Sequence, residues 1–187
     1  MSLDWAALTD GELATLSIAG RETAFTEIMN RYRQPTFRLI RTFVGDEDEA
    51  LDLTQETFIS AYQALARYDP KRPIRTWLAT IAINKCRDWG RKRTVRRILT
   101  LGGTLGAEAE RVADDRVAVD DAASDRQELG RVEQAIAKLT SDLRETLILR
   151  TIEGLSQAET ANILGISEKA VETRLYRARA KLETDTR

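Results

Sequence analysis

Side chains that can hydrogen-bond to the edges of base pairs are concentrated near the C-terminus of this 187-residue chain. In the predicted last helix, Val171, Leu175, Ala178 and Leu182 recur at steps of four, three and four, which makes them its buried face. The side chains that then point outward are those of Glu168, Lys169, Glu172, Thr173, Tyr176 and Arg177. Three flanking basic residues suit phosphate groups, namely Arg174, Arg179 and Lys181. Such a face is suited to the major groove of DNA.

A turn and two helix caps position this helix. Ser156 with Glu159 has the spacing of a capping box, Gly165 ends the helix that they start, and Ser167 caps the next one. A helix, a tight turn and a second helix with a basic end form the pattern of a helix-turn-helix. The alternative is a plain helical hairpin with a solvated charged face, which would need all of these signals to coincide by chance.

A second group of basic and polar residues lies in the middle of the chain. Residues 71–97 carry ten Lys and Arg against one acid. A predicted helix over 74–93 carries on one face Thr76, Thr80, Asn84, Arg87 and Arg91, and it ends in Arg91, Lys92 and Arg93. A face of this composition is suited to binding the phosphates of a nucleic acid and to contacting some of its bases.

The apolar side of the same helix leaves two interpretations of Trp77 and Trp89. Both could stack on unpaired bases. Aromatic residues at helical spacing more often pack inward, however, and we expect an interior position for both. The predicted buried side consists of Ile74, Leu78, Ile81, Ala82, Cys86 and Trp89. We expect Cys86 to be a small buried residue rather than a redox switch.

An acidic helix precedes the basic one. Residues 46–56 carry six acids and no base, and the first turn of a predicted helix over 46–66 is acidic throughout. Its apolar stripe is predicted to be Leu51, Phe58, Tyr62 and Leu65, so that Asp52, Gln55, Glu56, Ile59 and Gln63 point elsewhere. This acidic face is either merely solvated or a docking surface for a basic partner.

The residue counts exclude several classes of site. The chain contains no histidine and one cysteine, which removes the commonest general base, the commonest zinc ligand and any internal disulfide. No apolar run approaches the roughly 18 residues of a membrane span, and no signal segment opens the chain. We therefore expect a cytoplasmic protein without a cofactor, a bound metal, membrane insertion or enzymatic activity.

Helical signals extend along most of the chain, and no convincing strand pattern occurs. Further helices are predicted over 9–18 and over 21–43, the second interrupted at Gln34 and Pro35. Periodicity is lost after residue 93, and Ser124 with Gln127 has the spacing of a capping box. The prediction is an all-α fold of two small helical domains, 1–93 and 125–187, joined by a flexible linker over 94–124.

The order of these segments resembles that of a known family. The stretch Asp48–Phe58 resembles the core-polymerase-binding helix of extracytoplasmic-function sigma factors of the sigma-70 family. The stretch Arg75–Arg93 is similar to that family's helix for the promoter −10 element, and Gly154–Leu182 is similar to its −35-reading helix-turn-helix. The resemblance implies a sigma-2-like bundle and a sigma-4-like domain, and it covers nearly the whole chain apart from the linker.

The resemblance also implies partners and roles. RNA polymerase core would be bound through the clamp helices of its largest subunit and through its flap region, the former by Asp48, Asp52, Gln55 and Glu56. The −10 element would be contacted by Thr80, Asn84, Arg87, Arg91, Lys92 and Arg93, with Asn84 the residue suited to an extruded base. The −35 element would be contacted by Lys169, Glu172, Thr173, Arg174, Tyr176 and Arg177. An anti-sigma factor is implied as the regulator, and no obligatory homo-oligomer is expected.

Two other functions fit parts of the pattern. A helix-turn-helix repressor or activator would bind duplex DNA without polymerase, and an all-helical interaction module would have no role on DNA. Within the resemblance, Glu172 departs from the family, in which many relatives have a basic or small residue at this position. A carboxylate there can accept from the amino group of cytosine or simply repel phosphate.

Overall fold

The computed structural model describes residues 4–70, 72–100 and 134–185, and these are helical apart from short connections. The chain divides into two compact units, Met1–Val95 and Arg96–Arg187. No strand occurs in the described ranges, so the predicted all-α class is confirmed.

The described residues of the N-terminal unit form four α-helices, the last of which continues past Val95. In chain order they are α1 (Asp10–Ile18), α2 (Glu22–Val44), α3 (Glu47–Ala64) and α4 (Ile74–Thr100). Single 3₁₀ turns precede α1 at Trp5–Ala7 and follow α3 at Leu65–Arg67. The predicted helix ends over 9–18 and 46–66 agree with α1 and α3 to within two residues.

Local sequence signals account for these helix ends. Thr9 and Glu12 form a reciprocal capping box at the start of α1, and the side chain of Asp46 accepts from the amide of Glu49 at the start of α3. Between α2 and α3 the backbone of Gly45 has a φ of 72°, a left-handed conformation that glycine adopts without a steric penalty.

The core of this unit is formed where α1, α2, α3 and the first turns of α4 meet. Its fully buried large side chains include those of Leu13, Ile28, Ile74 and Leu78. Phe25 of α2 lies edge-on to Phe58 of α3, with ring centroids 6.5 Å apart. This core fixes α3 and α4 in place, so the outward faces of both helices have defined positions.

Arg31 ties the N-terminal segment to α2. Its guanidinium donates to Glu27 at 2.9 Å, to Asp10 at 3.2 Å, and to the carbonyls of Trp5 and Ala6 at 3.0 Å each. The hydroxyl of Tyr32 donates to the other oxygen of Asp10 at 2.5 Å, and burial together with this bond raises the pKa of Tyr32 above its ordinary range. The segment before α1 is therefore held by a network rather than by apolar packing alone.

In the described part of the C-terminal unit, residues 134–137 are helical and are followed by three α-helices. They are α5 (Ser141–Leu147), which continues as a π-helical turn (Ile148–Ile152), α6 (Gln157–Leu164) and α7 (Glu168–Asp185). Leu139, Leu143, Leu147 and Ala178 form a buried cluster, against which Leu175 and Leu182 of α7 pack. The predicted buried face of the last helix is thereby confirmed.

Three predictions about elements were wrong or fall outside the described ranges. Helix α2 runs through Pro35 without a break. A proline removes the bond to the carbonyl four residues earlier and crowds that carbonyl, but the buried side chains of Thr36, Leu39 and Ile40 hold the helix beyond it. Helix α4 extends to Thr100, past the predicted end at residue 93. The Ser124 capping box and most of the predicted linker lie outside the described residues.

Candidate nucleic-acid and docking interfaces

The N-terminal half of α7 presents a polar face. Val171 and Ala178 are fully buried, while Lys169, Glu172 and Tyr176 on the other side are exposed. Thr173 is half-buried, and its hydroxyl donates to the carbonyl of Lys169 at 2.9 Å. Arg177, one residue after Tyr176, is exposed as well. The side chains that the sequence predicts to point outward do so, but one of the flanking arginines turns toward the protein.

That arginine is Arg174, which turns toward α5. Its Nε lies 3.6 Å from Oδ2 of Asp142, and its side chain is largely covered. Burial raises the pKa of Asp142, but the Thr140 hydroxyl, the charge of Arg174 and backbone amides outweigh it, leaving the pKa below its ordinary value. Arg174 thus joins two helices, whereas Tyr176 and Arg177 face solvent.

The turn between α6 and α7 is built as the sequence predicts. Ser156 and Glu159 form the capping box of α6, and Gly165 has a left-handed φ of 68°. The hydroxyl of Ser167 accepts from the amide of Ala170 at 3.2 Å and so caps α7. In addition, the side-chain amide of Gln157 donates to the carbonyl of Glu168 at 2.9 Å, which connects the first turns of the two helices.

The predicted basic face of α4 is present over most of its length. Asn84 and Arg91 are exposed, and Thr80 and Arg87 are half-buried. The Asn84 side-chain oxygen accepts from Arg87 at 3.3 Å, and Arg91 pairs with Asp88. Lys92 is exposed beside them. An amide and two guanidinium groups therefore lie along one stretch of the helix surface, where phosphate and base edges could both be bound.

Arg93 occupies another side of α4. Because a helix turns by about 100° per residue, Arg93 lies roughly 200° around the axis from Arg91. Its guanidinium carbon is 5.1 Å from the ring centroid of Trp89, a cation–π contact. Arg93 therefore faces away from the Asn84 side of the helix, although the sequence groups it with Arg91 and Lys92.

Both tryptophans of α4 are half-buried and engaged with the protein, as expected from their spacing. The indole nitrogen of Trp89 donates to Oε2 of Glu49 at 2.9 Å. The ring of Trp77 packs against Tyr68, with centroids 5.0 Å apart. Cys86 is buried, as predicted. Ile83 is also buried, although the predicted apolar side of the helix omits it.

The acidic face of α3 also includes exposed apolar residues. Asp48, Asp52, Gln55 and Glu56 are exposed, and so are Leu51 (44%), Ile59 (57%) and Tyr62 (48%). Leu51 and Tyr62 had been predicted to be buried. The inward face instead consists of smaller or less apolar residues together with two large ones, namely Ala50, Leu53, Thr54, Thr57, Phe58 and Ala61.

We call this exposed surface the α3 face: Asp48, Leu51, Asp52, Gln55, Glu56, Ile59 and Tyr62. Its members recur at steps of three and four along the helix, so carboxylates and apolar side chains form one stripe. Glu56 is also paired with Lys85 of α4 at 3.2 Å. The apolar members of the α3 face could have been identified from the sequence, because helical spacing places Leu51, Ile59 and Tyr62 on the same face as Asp48 and Asp52.

Among the residues that the structure describes, no group of three His, Cys, Asp or Glu side chains is arranged to hold a metal ion. No helix within the same ranges is long and apolar enough to cross a membrane. The described surface carries a mixed acidic and apolar stripe, a basic helix and a helix-turn-helix.

Two family models match the chain. The model of sigma-70 region 2 matches residues 28–96, and the model of sigma-70 region 4 matches residues 129–182. The first match contains the α3 face and the basic part of α4, and the second contains the helix-turn-helix.

Curated relatives extend the similarity over nearly the whole chain. The RNA polymerase sigma factor CnrH of Cupriavidus metallidurans is 40% identical over 175 residues, which cover 92% of each protein. The ECF RNA polymerase sigma factor SigW of Bacillus subtilis is 32% identical over 171 residues, covering 90% of this chain and 91% of SigW.

Solved structures agree with these relatives. CnrH in complex with the cytosolic domain of CnrY matches with a TM-score of 0.68 and 35% identity, over 94% of this chain and 95% of CnrH. The sigma factor RpoE of Bartonella quintana, solved with the anti-sigma factor NepR, has the same fold, with a TM-score of 0.66 and 22% identity over 86% of this chain and 95% of RpoE. The chain therefore belongs to the extracytoplasmic-function sigma factors of the sigma-70 family, which direct promoter recognition and the initiation of transcription.

Proposed function

We propose that this sigma factor binds core RNA polymerase through the α3 face and contacts the two promoter elements through α4 and α7. The observation that carries the proposal is the presence of three distinct exposed surfaces, each on a helix whose opposite side is fixed in a core. A DNA-binding regulator that acts without polymerase would have no evident use for the first of them.

Binding to core polymerase is assigned to Asp48, Asp52, Gln55 and Glu56, with Leu51, Ile59 and Tyr62 added. The acids would steer the protein toward a basic partner and fix the register of the complex. The apolar side chains would supply burial, at roughly 25 cal/mol for each Å² of apolar surface removed from water. The clamp helices of the polymerase largest subunit are the proposed partner of this face.

Contact with the −10 element is assigned to Thr80, Asn84, Arg87, Arg91 and Lys92. Exposed Arg and Lys can neutralise phosphates, and the amide of Asn84 can donate to and accept from a base taken out of the duplex. Arg93 fits a supporting role better, because its guanidinium covers Trp89. We therefore reassign it from direct contact with DNA to the stability of α4.

Contact with the −35 element is assigned to the exposed residues of α7. Lys169, Glu172, Thr173 and Tyr176 lie in the half of the helix that enters the major groove in a helix-turn-helix, and Arg177 follows them. Arg174 supports this surface indirectly, since its ion pair with Asp142 fixes α7 against α5. A second anchor on the polymerase flap is proposed for this domain as a whole.

The proposed domain limits are 1–93 for polymerase and −10 binding and 125–187 for −35 binding, with 94–124 between them. The helical residues 94–100 belong to α4 and would lengthen the first domain. We further propose a cytoplasmic location, because promoter DNA and polymerase are there, and no catalytic activity of the chain itself.

Regulation by an anti-sigma factor is proposed on the basis of the relatives. CnrH was solved with the cytosolic domain of CnrY, and RpoE with the anti-sigma factor NepR. A protein that covered the α3 face or the outward side of α7 would block the surfaces assigned here to polymerase and DNA. The lack of histidine and the burial of the single cysteine favour sensing by such a partner rather than by this chain.

Run-off transcription with purified core polymerase tests the proposal. With a library of genomic promoter fragments, the chain should produce promoter-specific transcripts that core polymerase alone does not make. A mobility shift should show specific binding only when core polymerase is present. Tight and specific binding of duplex DNA by the chain alone, without any transcript, would contradict the proposal in favour of a repressor or activator.

A further inference from the structure

An exposed ion pair lies on the outward side of α7. The Nζ of Lys169 is 2.9 Å from Oε2 of Glu172, one helical turn further on. The two side chains are 82% and 60% exposed, so both are in water. They lie within the first turn and a half of the helix, next to Thr173 and Tyr176.

Stability does not account for a carboxylate at this position. An exposed ion pair at this spacing stabilises a helix by only a few tenths of a kcal/mol. On a surface that approaches DNA, a lone carboxylate is repelled by phosphates. Lys169 offsets that repulsion, because its ammonium group is within contact distance of the same carboxylate. The pair thus brings an acceptor into the groove without adding net negative charge.

The chemistry of the pair matches one type of base pair. Each carboxylate oxygen accepts hydrogen bonds, and the 2.9 Å contact to Lys169 involves Oε2, which leaves Oε1 for another donor. In the major groove cytosine presents the donor N4–H, and its partner guanine presents the adjacent acceptors O6 and N7. Glutamate suits the first and lysine suits the second.

The other base pairs fit less well. Adenine has its donor N6–H beside the acceptor N7, which would face the second carboxylate oxygen and repel it. Thymine offers one acceptor and a methyl group, so an ammonium group finds fewer hydrogen-bond acceptors there than on guanine. Reversing C·G to G·C would place acceptors against the carboxylate.

We propose that Lys169 and Glu172 together read one C·G base pair of the −35 element, with cytosine contacted by Glu172 and guanine by Lys169. This assignment rests on the proposed function, since it requires α7 to enter the major groove. Glu172 is then a specificity-determining residue rather than a defect in the DNA-facing surface.

The test is promoter selection by the holoenzyme with a randomised −35 element. Wild-type holoenzyme should favour C·G at one position by roughly 5- to 100-fold over other base pairs. Glu172→Ala should reduce that preference to less than about 3-fold and leave the other positions unchanged. Glu172→Gln should transfer the preference to A·T, because a glutamine amide pairs with N6 and N7 of adenine. Lys169→Ala should weaken the preference for C·G at the same position of the −35 element.

Glu183→Gln is the matched control, since this exposed glutamate lies on the same helix far from its N-terminal half. Its selected promoters should equal those of the wild type. Promoter-specific transcription with base preferences that Glu172→Ala and Glu172→Gln leave unchanged would overturn this inference alone. Absence of any promoter-specific transcript from the wild type would overturn the proposed function as well.

Discussion

The indole nitrogen of Trp89 donates to a carboxylate oxygen of Glu49 across 2.9 Å, and this hydrogen bond joins α3 to α4. Glu49 belongs to the first turn of the helix that carries the α3 face. Trp89 belongs to the helix that carries the basic residues and is covered on one side by Arg93. This neutral-to-charged bond, together with the ion pair of Glu56 with Lys85, therefore connects the helices that carry the proposed polymerase-binding and −10-binding surfaces.

Loss of that bond should destabilise the N-terminal unit. Glu49→Ala should lower the free energy of unfolding by about 1.5–3 kcal/mol, the range for a hydrogen bond to a charged group. Glu49→Gln should cost less, because its amide oxygen can still accept. Urea unfolding followed by circular dichroism measures both. Glu47→Ala, an exposed substitution in the same helical turn, is the control, and an equal loss in both alanine variants would contradict the prediction.

Arg91→Ala and Arg93→Ala should have different consequences. Removing Arg91 should reduce the salt dependence of promoter binding by the holoenzyme by roughly one phosphate contact. Removing Arg93 should leave that slope unchanged but lower stability by about 0.5–1 kcal/mol, because its cation–π contact with Trp89 is lost. Promoter affinity measured at several salt concentrations separates them. Identical salt slopes for the two variants would count against the division of α4 into two sides.

The α3 face should tolerate substitutions structurally but not functionally. Asp52→Lys and Ile59→Ser should each weaken binding of core polymerase about tenfold or more, the first by charge repulsion and the second by loss of apolar burial. Melting temperatures should change little, because both side chains are exposed. Glu22→Lys, a charge reversal at an exposed position of α2, is the control for a titration of labelled sigma factor with core enzyme. Unchanged affinity for Asp52→Lys would remove this assignment.

Acid should weaken the contact between α5 and α7. The pKa of Asp142 is held below its ordinary value, so the carboxylate stabilises the fold fully above the unfolded-state pKa of about 3.9. That contribution is lost as the pH falls through the lower folded-state pKa. Asp142→Asn should therefore cost under about 1 kcal/mol at pH 7, given the solvent exposure of the pair, and should flatten the loss of stability below pH ~4. Unfolding curves recorded at pH 7 and at about pH 3 compare the two proteins.

Replacing glycine by alanine should change the free energy of unfolding in opposite directions at Gly165 and at Gly90. Gly165→Ala should destabilise the C-terminal unit by about 1 kcal/mol or more, because φ of 68° is unfavourable for a residue with Cβ. Apart from the adjacent residues and the nearby backbone of the same helix, no heavy atom lies within 4 Å of a methyl group added at Gly165 or at Gly90 of α4. Gly90→Ala should therefore stabilise its helix by roughly 0.5–1 kcal/mol. Thermal unfolding decides the signs, and a gain for Gly165→Ala would contradict the assigned turn geometry.

Signals confined to one turn of chain predicted the structure well. The capping box at Ser156 and the left-handed glycine at Gly165 fix helix ends through bonds between residues at most four apart. The buried stripe of the last helix was predicted correctly as well, because apolar residues such as Val171 and Ala178 recur at helical spacing among charged residues.

Packing decided the points on which the sequence misled. On α3 the buried face contains Ala50, Thr57 and Ala61, whereas Leu51 and Tyr62 are exposed. Because many residues of the inward face are small or weakly apolar, the larger Leu51 and Tyr62 gave the stronger hydrophobic signal and were predicted to be buried. The ion pair of Arg174 with Asp142 depends on tertiary structure, and no local pattern marks it.

The bond from Gln157 to the carbonyl of Glu168 has a mechanical consequence for promoter recognition. Helix α7 has 18 residues and is therefore about 27 Å long, so its first turn acts as the pivot of a lever. A tilt of about 10° at that pivot would move the backbone at Tyr176 by about 2 Å and the far end by nearly 5 Å, more than the 3.4 Å rise of one base pair. The amide of Gln157 therefore acts together with the Arg174–Asp142 ion pair and the buried Val171 and Ala178 to hold α7, whose outward side chains are proposed to contact the −35 element.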